Sequence, residues 1–176
     1  MEIFIVGVAV VALMVYVSTK IKRSAAAAFE REEIEEEDFS LIKPEGYIHP
    51  FNENSPFKFE AYTKDFGDEE AKSFRRSRAT LRVVSDSDFE TVCRNAKKSA
   101  DRIASKKFVE DTPADQKIFL LENEKSESGV KFFTRWKIVE SRERRKIYEF
   151  QVSVLEEYRE EFADAAGEMI RTFSVK

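Results

Sequence analysis

The sequence predicts an α+β protein: one N-terminal transmembrane helix, then a soluble domain with the element order β-β-β-α-β-β-β-α. Two observations predict the domain, the alternation of apolar and polar residues in successive short stretches and two longer stretches with apolar residues at helical spacing. A third, an uncharged apolar run at the start of the chain, predicts the membrane helix. Residues 1–19 then form the anchor, 20–38 a basic juxtamembrane cluster with an acidic helical stalk, and 39–176 the soluble domain.

From Ile3 to Val17 the chain carries no charge, and Ser18 and Thr19 extend the run toward the ~20 residues that cross a bilayer. Lys20, Lys22 and Arg23 all follow it, so the positive-inside rule places the N-terminus outside and the domain in the cytoplasm. The alternative is a cleaved signal peptide and an exported domain. Against it, Met1-Glu2 offers no basic n-region and no small-residue cleavage pattern directly follows the apolar run. Beyond Ser24 and four alanines lies an acidic run from Glu30 to Asp38, broken by Arg31 and Ile34. Alanine and glutamate favour helix, so the stretch reads as a stalk, serving either as an acidic docking segment or as a solvated spacer.

Leu41-Ile42 before Pro44-Glu45-Gly46 reads as a short strand ending in a turn. Phe57, Phe59 and Ala61 alternate with Lys58, Glu60 and Tyr62, and Ala79, Leu81 and Val83 with Arg78, Thr80 and Arg82, giving two half-buried strands. Ser87-Asp88-Phe89-Glu90 has the form of a capping box, so a helix starts there. Its apolar face takes Phe89, Val92, Cys93, Ala96, Ala100, Ile103 and Ala104, and Lys106-Lys107 suit its C-terminal dipole. Strands follow at Lys117 to Glu122, Val130 to Glu140 and Lys146 to Leu155, and their short polar connections imply antiparallel hairpins. A second amphipathic helix closes the chain, with Tyr158, Phe162, Ala165, Ala166, Met169, Ile170 and Phe173 on its apolar stripe.

Composition narrows the function classes. Hydrophobic residues at 42% with 16 phenylalanines supply one core, while 36% charged residues make a surface dense in both signs. A net charge of -4 gives no global attraction to nucleic acid. Cys93 is the single cysteine, which excludes a disulfide framework and a cysteine-based zinc site and suits a reducing compartment. The five glycines are unclustered, so no P-loop can form, and Asp86-Ser87-Asp88 lacks the glycine and distal glutamate of a calcium loop. His49 is the one histidine, with no nucleophile motif beside it, and Cys93 falls on a core stripe. No catalytic residue, cofactor site or metal site is assigned.

That element order, with the Pro44-Glu45-Gly46 turn after the first strand and a closing helix ending Met169-Ile170-Arg171-Thr172-Phe173-Ser174, resembles the PsbP-like superfamily. Its members include the photosystem II PsbP subunit, the DcrB lipoprotein and a Ran-binding nuclear import factor. The resemblance covers about residues 39 to 176. It implies an α/β/α sandwich around a six-stranded, mainly antiparallel sheet, and a binding or assembly module without enzymatic activity. It assigns no functional residue to this chain.

The expected function is therefore a non-enzymatic, membrane-tethered interaction or assembly module, with a protein partner near the membrane and residues 1–19 in the bilayer. A lipid-surface or small-ligand sensor is the alternative, and an enzyme stands third. The candidate interaction face is basic if two strand faces coincide: Arg76, Arg78 and Arg82 on one strand, Arg135 and Lys137 on another, with Phe133 then exposed beside them and Arg142, Arg144 and Arg145 at a hairpin tip. The competing reading is cross-strand pairing with Glu60, Glu140 and Glu149. Partner identity and oligomeric state are open at this point.

Overall fold

A computed structural model describes residues 13–20, 26–50, 54–109, 113 and 115–176. Among these, ten strands are formed: β1 (Glu32–Glu35), β2 (Phe39–Lys43), β3 (Tyr47–Ile48), β4 (Phe59–Thr63), β5 (Ser77–Val84), β6 (Arg102–Val109), β7 (Gln116–Glu127), β8 (Val130–Ser141), β9 (Lys146–Leu155) and β10 (Ser174–Val175). Helix α1 (Phe89–Lys98) lies between β5 and β6, and α2 (Ala163–Thr172) between β9 and β10. A seven-stranded sheet has the order β3-β4-β5-β9-β8-β7-β6, and a three-stranded sheet the order β1-β2-β10. Every neighbouring pair is antiparallel.

The large sheet is covered on both sides because its central strands alternate. Tyr148, Phe150, Val152 and Val154 of β9 face the same side as Leu81, Ala79 and Ser77 of β5, their register partners including Phe150 opposite Leu81. Onto that side pack Ala166, Met169 and Phe173 from the α2 region and Phe39 and Leu41 from β2. Phe173 lies 4.8 Å from Phe150 and 6.2 Å from Phe39, ring centre to ring centre. On the other side α1 sets Phe89, Val92, Cys93 and Ala96 against Phe119, Leu121, Ile138 and Ile147. The two-residue turn between β7 and β8 holds Ser128 and Gly129 at φ 52° and 83°, the left-handed pair that a tight hairpin requires.

Several expectations are corrected. The six expected strands all exist, but Leu41-Ile42 belongs to the small sheet, and the large sheet instead recruits β3 and β6. The first helix stops at Lys98 and not near Lys107, because Ser99 caps it with its hydroxyl on the Ala96 carbonyl and the Asp101 N–H turns to Glu124 of β7. Ile103 and Ala104 therefore lie on β6, where β-pairing with β7 wins over helical continuation. Asp88, not Ser87, is the N-cap: its carboxylate accepts from the Thr91 N–H at 2.8 Å, which holds its pKa below the usual carboxylate range.

The acidic run is not a helical stalk. Glu32–Glu35 is strand β1, which buries Ile34 in the main core, a gain that outweighs glutamate's helical preference. Asp38 is buried as well, accepting from the Tyr148 hydroxyl at 3.2 Å. Lys43 is wholly buried, its ammonium donating to the carbonyls of Ala28 at 3.2 Å, Glu30 and Tyr47 at 2.9 Å. Burial lowers its pKa, with Glu32 at 3.8 Å pulling the other way.

The membrane anchor is corrected too. Among the described residues no helix is long and apolar enough to cross a membrane. Residues 1–12 of the expected span, with Lys22 and Arg23, lie outside the described residues, and Lys20 ends the helical segment. The orientation and cytoplasmic placement drawn from those three cations therefore have no spanning helix among the described residues to rest on.

Two outcomes follow. Phe173→Ala removes a ring at the junction of both sheets and lowers unfolding free energy by about 3–5 kcal/mol, read as a lower urea midpoint at unchanged slope. Burial pushes the Tyr47 and Tyr148 hydroxyls up from 10.0 to about 12. Their contribution is complete below pH 10 and is lost as pH rises toward 12, because the folded state holds the proton that the unfolded state releases. Ultraviolet tyrosinate titration should show both ionising only with alkaline unfolding, and Tyr47→Phe should flatten that loss of stability.

Candidate interaction surface

The sequence-predicted basic set is split between the two faces of the large sheet. Arg78 and Arg82 of β5 pair with Ser153 and Glu149 of β9, on the α1 side. Arg135 and Lys137 of β8 pair with Val152 and Phe150, on the α2 side, and Phe133 pairs with Val154 there. Phe133 is buried, with the Arg159 guanidinium 3.7 Å above its ring. A strand's period of two assigns sides within one strand, and only the pairing register relates β5 to β8.

Beneath α2 the two cations serve the fold. Arg135 donates to the Ala163 carbonyl at 2.8 Å and lies 3.0 Å from Glu122. Gly167 leaves room for it, since a Cβ there would fall 3.1 Å from the guanidinium. Lys137 donates to the carbonyls of Ile170 at 3.3 Å and Phe173 at 2.6 Å, closing the C-terminal end of α2, and burial lowers its pKa. Arg76 donates from Nε to the Phe66 carbonyl at 3.0 Å and covers the Tyr158 ring at 4.3 Å. Arg144 reaches the carbonyls of Lys176 and Glu37, tying the hairpin tip to the last residue and to the link between β1 and β2. His49 is structural: Nδ1 donates to the Glu60 carbonyl at 2.7 Å and the ring stacks on Phe59. Cys93 is buried, and burial pushes its thiol up to about 12.

The open part of the sheet lies on the α1 side, over β4, β5 and β9. There a groove of about 480 Å³ has a polar floor of Thr80, Gln151 and Ser153. Its walls are aromatic, from Phe57 and Tyr62 on one side to Phe66, Phe74 and Phe132 on the other. Arg75 lies 3.8 Å over the Phe66 ring and 4.6 Å from Tyr62, and donates to the Lys64 carbonyl. Arg78 pairs with Glu60 at 2.7 Å and faces Phe57 at 5.3 Å, with Arg82 at 5.6 Å from the same ring. Lys125 sits 5.6 Å over Phe132 and 3.6 Å from Glu127. Burial raises the pKa of Glu149, opposite Arg82, and Arg82 pulls it the other way. Guanidiniums stacked on rings keep their N–H edges available to a carboxylate.

The groove therefore keeps Arg78 and Arg82 of the predicted set, does not include Arg76, and adds Arg75, Lys125 and five aromatic residues that the sequence reading missed. Tyr62 was legible, since it shares the β4 face with Glu60. Phe66 and Phe74 were not, because a loop without periodicity brings them in. Gly67 makes that loop possible: a Cβ would fall 2.5 Å from Leu155 Cδ1. Among the described residues no His, Cys, Asp and Glu cluster could hold a metal ion.

Solved structures share the fold. CyanoP, the cyanobacterial PsbP of Synechocystis sp. PCC 6803, matches with a TM-score of 0.55 at 11% identity, over 84% of this chain and 94% of its own. The domain has the PsbP-like fold. LpqN of Mycobacterium tuberculosis, involved in cell envelope biogenesis, matches the PsbP-like domain at 0.53 and 12% identity, over 84% and 91%. The Ran-binding protein Mog1p of Saccharomyces cerevisiae matches at 0.52 and 12%, over 84% and 96%. No protein-family model matches the sequence, and no curated protein matches it.

Lys137→Met in the PsbP-like domain leaves the last carbonyls of α2 without a donor and should cost about 1–3 kcal/mol. Thermal unfolding checks it, and a loss matched by the exposed variant Lys131→Met would overturn the capping role.

Proposed function

We propose that the PsbP-like domain is a non-enzymatic protein-interaction module that docks a partner through the aromatic and arginine groove. The observation that carries this reading is the groove itself: Arg75, Arg78 and Arg82 over Phe57, Tyr62 and Phe66 on an uncovered sheet face. Aromatic and arginine side chains are the residues that dominate binding energy at protein interfaces. Phe66 is 44% exposed at the lip, so a partner side chain gains apolar burial there while a carboxylate meets the guanidinium edges. Solved structures of the same fold include a Ran-binding protein, which supports a binding role for this one.

A second reading, a small anionic ligand, draws on one observation. Trp136 Nε1 is buried without a hydrogen-bond partner, in a hollow of about 220 Å³ that shares Phe57, Thr80, Arg82 and Gln151 with the groove. A ligand acceptor there would satisfy it.

A photo-crosslinking residue at Phe66 in the full chain, used in cells, tests the proposal. One dominant protein adduct is expected, falling by about tenfold in Arg75→Glu/Arg78→Glu as two charge-assisted contacts become repulsive. An adduct indifferent to that double variant sinks the groove as the interface. No protein adduct, with a small molecule retained in native mass spectrometry and lost in Arg82→Glu, moves the assignment to the ligand reading.

A further inference from the structure

Strand β6 ends the large sheet, seven of its eight residues are exposed, and no described strand pairs with its outer edge. A row of free backbone N–H and C=O groups is a template for another strand, and proteins normally shorten, cover or charge such edges. β6 is long, and its apolar side chains are not withdrawn. Outside the helical segment 13–20, three large apolar residues are exposed among those described: Phe66 at 44%, Ile103 at 40% and Phe108 at 56%. Two of the three sit on this edge.

Both face the α1 side of the sheet. Phe108 is opposite Phe119 in register and leans on its ring at 4.8 Å, with Phe89 of α1 at 6.4 Å. Between α1 and β6 this leaves an open trough of about 520 Å³, whose rim carries Arg94, Lys97 and Lys117 against a single acid, Glu90. The strand adds Lys106 and Lys107 and contains no acid, while its Arg102 is paired with Glu124 of β7 at 2.9 Å. A bulge between Ile103 and Ser105 interrupts the register, so the regular stretch that can accept a strand is 105–109.

We propose that β6 is a docking edge for an acidic, extended segment of a partner protein, which adds to the sheet as an outer strand. Main-chain hydrogen bonds would supply the attachment, alternate apolar side chains would enter the trough against Phe108, on the side that also carries Lys106 and Lys97, and acidic ones would meet Lys107 on the other side. Charge complementarity selects this occupant. A second copy of the chain fits poorly, because pairing β6 with itself about a two-fold axis brings the Lys106-Lys107 pair of each copy beside that of the other. The edge lies at the opposite end of the sheet order from β4 and β5, so it is a surface separate from the arginine groove.

The probe is a labelled peptide of about ten residues, enough to span the strand, alternating glutamate with valine and phenylalanine. Two companions carry proline at every second position or lysine in place of glutamate. The full chain should bind the first peptide alone, with new hydrogen-exchange protection at 102–109. Lys106→Glu/Lys107→Glu should weaken binding about tenfold, while Arg75→Glu/Arg78→Glu binds like the wild type. All these side chains except Arg75 and Arg78 are on the exposed edge, and circular dichroism verifies each fold. Absence of binding, equal binding of the proline peptide, or binding without protection at 102–109 overturns the proposal. So does a concentration-dependent dimer of the free chain that Phe108→Asp dissolves, which would assign the edge to a second copy.

Discussion

Strand β9 carries Tyr148, Phe150, Val152 and Val154 on one side, and no arrangement leaves that stripe in water without a large loss of hydrophobic stabilisation. The layer that covers it comes from both ends of the chain: β2 near the start, α2 and β10 at the end. The C-terminus is thereby drawn to β2, with Val175 paired to Phe39 and the Lys176 N–H on the Asp38 carbonyl. The other side of β9 reads Glu149, Gln151 and Ser153. Those residues have nothing apolar to bury, so α1 covers only the portion of the sheet where Phe119, Leu121, Ile138 and Ile147 demand it. The open groove is the consequence of the same alternation that builds the core.

Charge is used in two ways across this framework. Lys43, Lys137 and Arg135 are drawn inside to satisfy carbonyls that strands and helices leave unpaired, and the desolvation they suffer is offset by those hydrogen bonds. Arg75 and Arg82 remain at the surface over aromatic rings, and Lys106 and Lys107 line an open strand edge. Residue type does not separate the two groups. What separates them is whether neighbouring elements cover the cation, since Arg75 also donates to a carbonyl, that of Lys64, yet stays at the surface.

Much of the fold was legible because alternation over several residues is a strong signal. The hairpin strands β8 and β9 came out nearly to their observed bounds, helped by the short polar links, while β7 was expected to end at Glu122 and runs on to Glu127. The elements missed are those whose local preference is outvoted. Glu32–Glu35 looks helical or solvated, yet a single Ile34 finds the core and Glu32 lies near the buried Lys43. Residues 102–109 continue the helical apolar spacing of α1, yet pairing with β7 claims them. Of the candidate site, Arg78 and Arg82 were legible as one strand face, while Arg135 and Lys137 were grouped with them for want of a register.

The sequence by itself determined the α+β class, the order of β2, β4, β5, α1, β7, β8, β9 and α2, the absence of nucleophile and phosphate-binding motifs, and the resemblance that the solved PsbP-like structures bear out. These rest on local period and residue type, which need no knowledge of the partner element. Tertiary structure alone decided which side of the sheet each cation occupies, that the acidic run joins the core, and that Phe66, Phe74 and Arg75 meet over β5. Each of those depends on strand register or on a loop's path, and both are set by contacts between residues far apart in the chain.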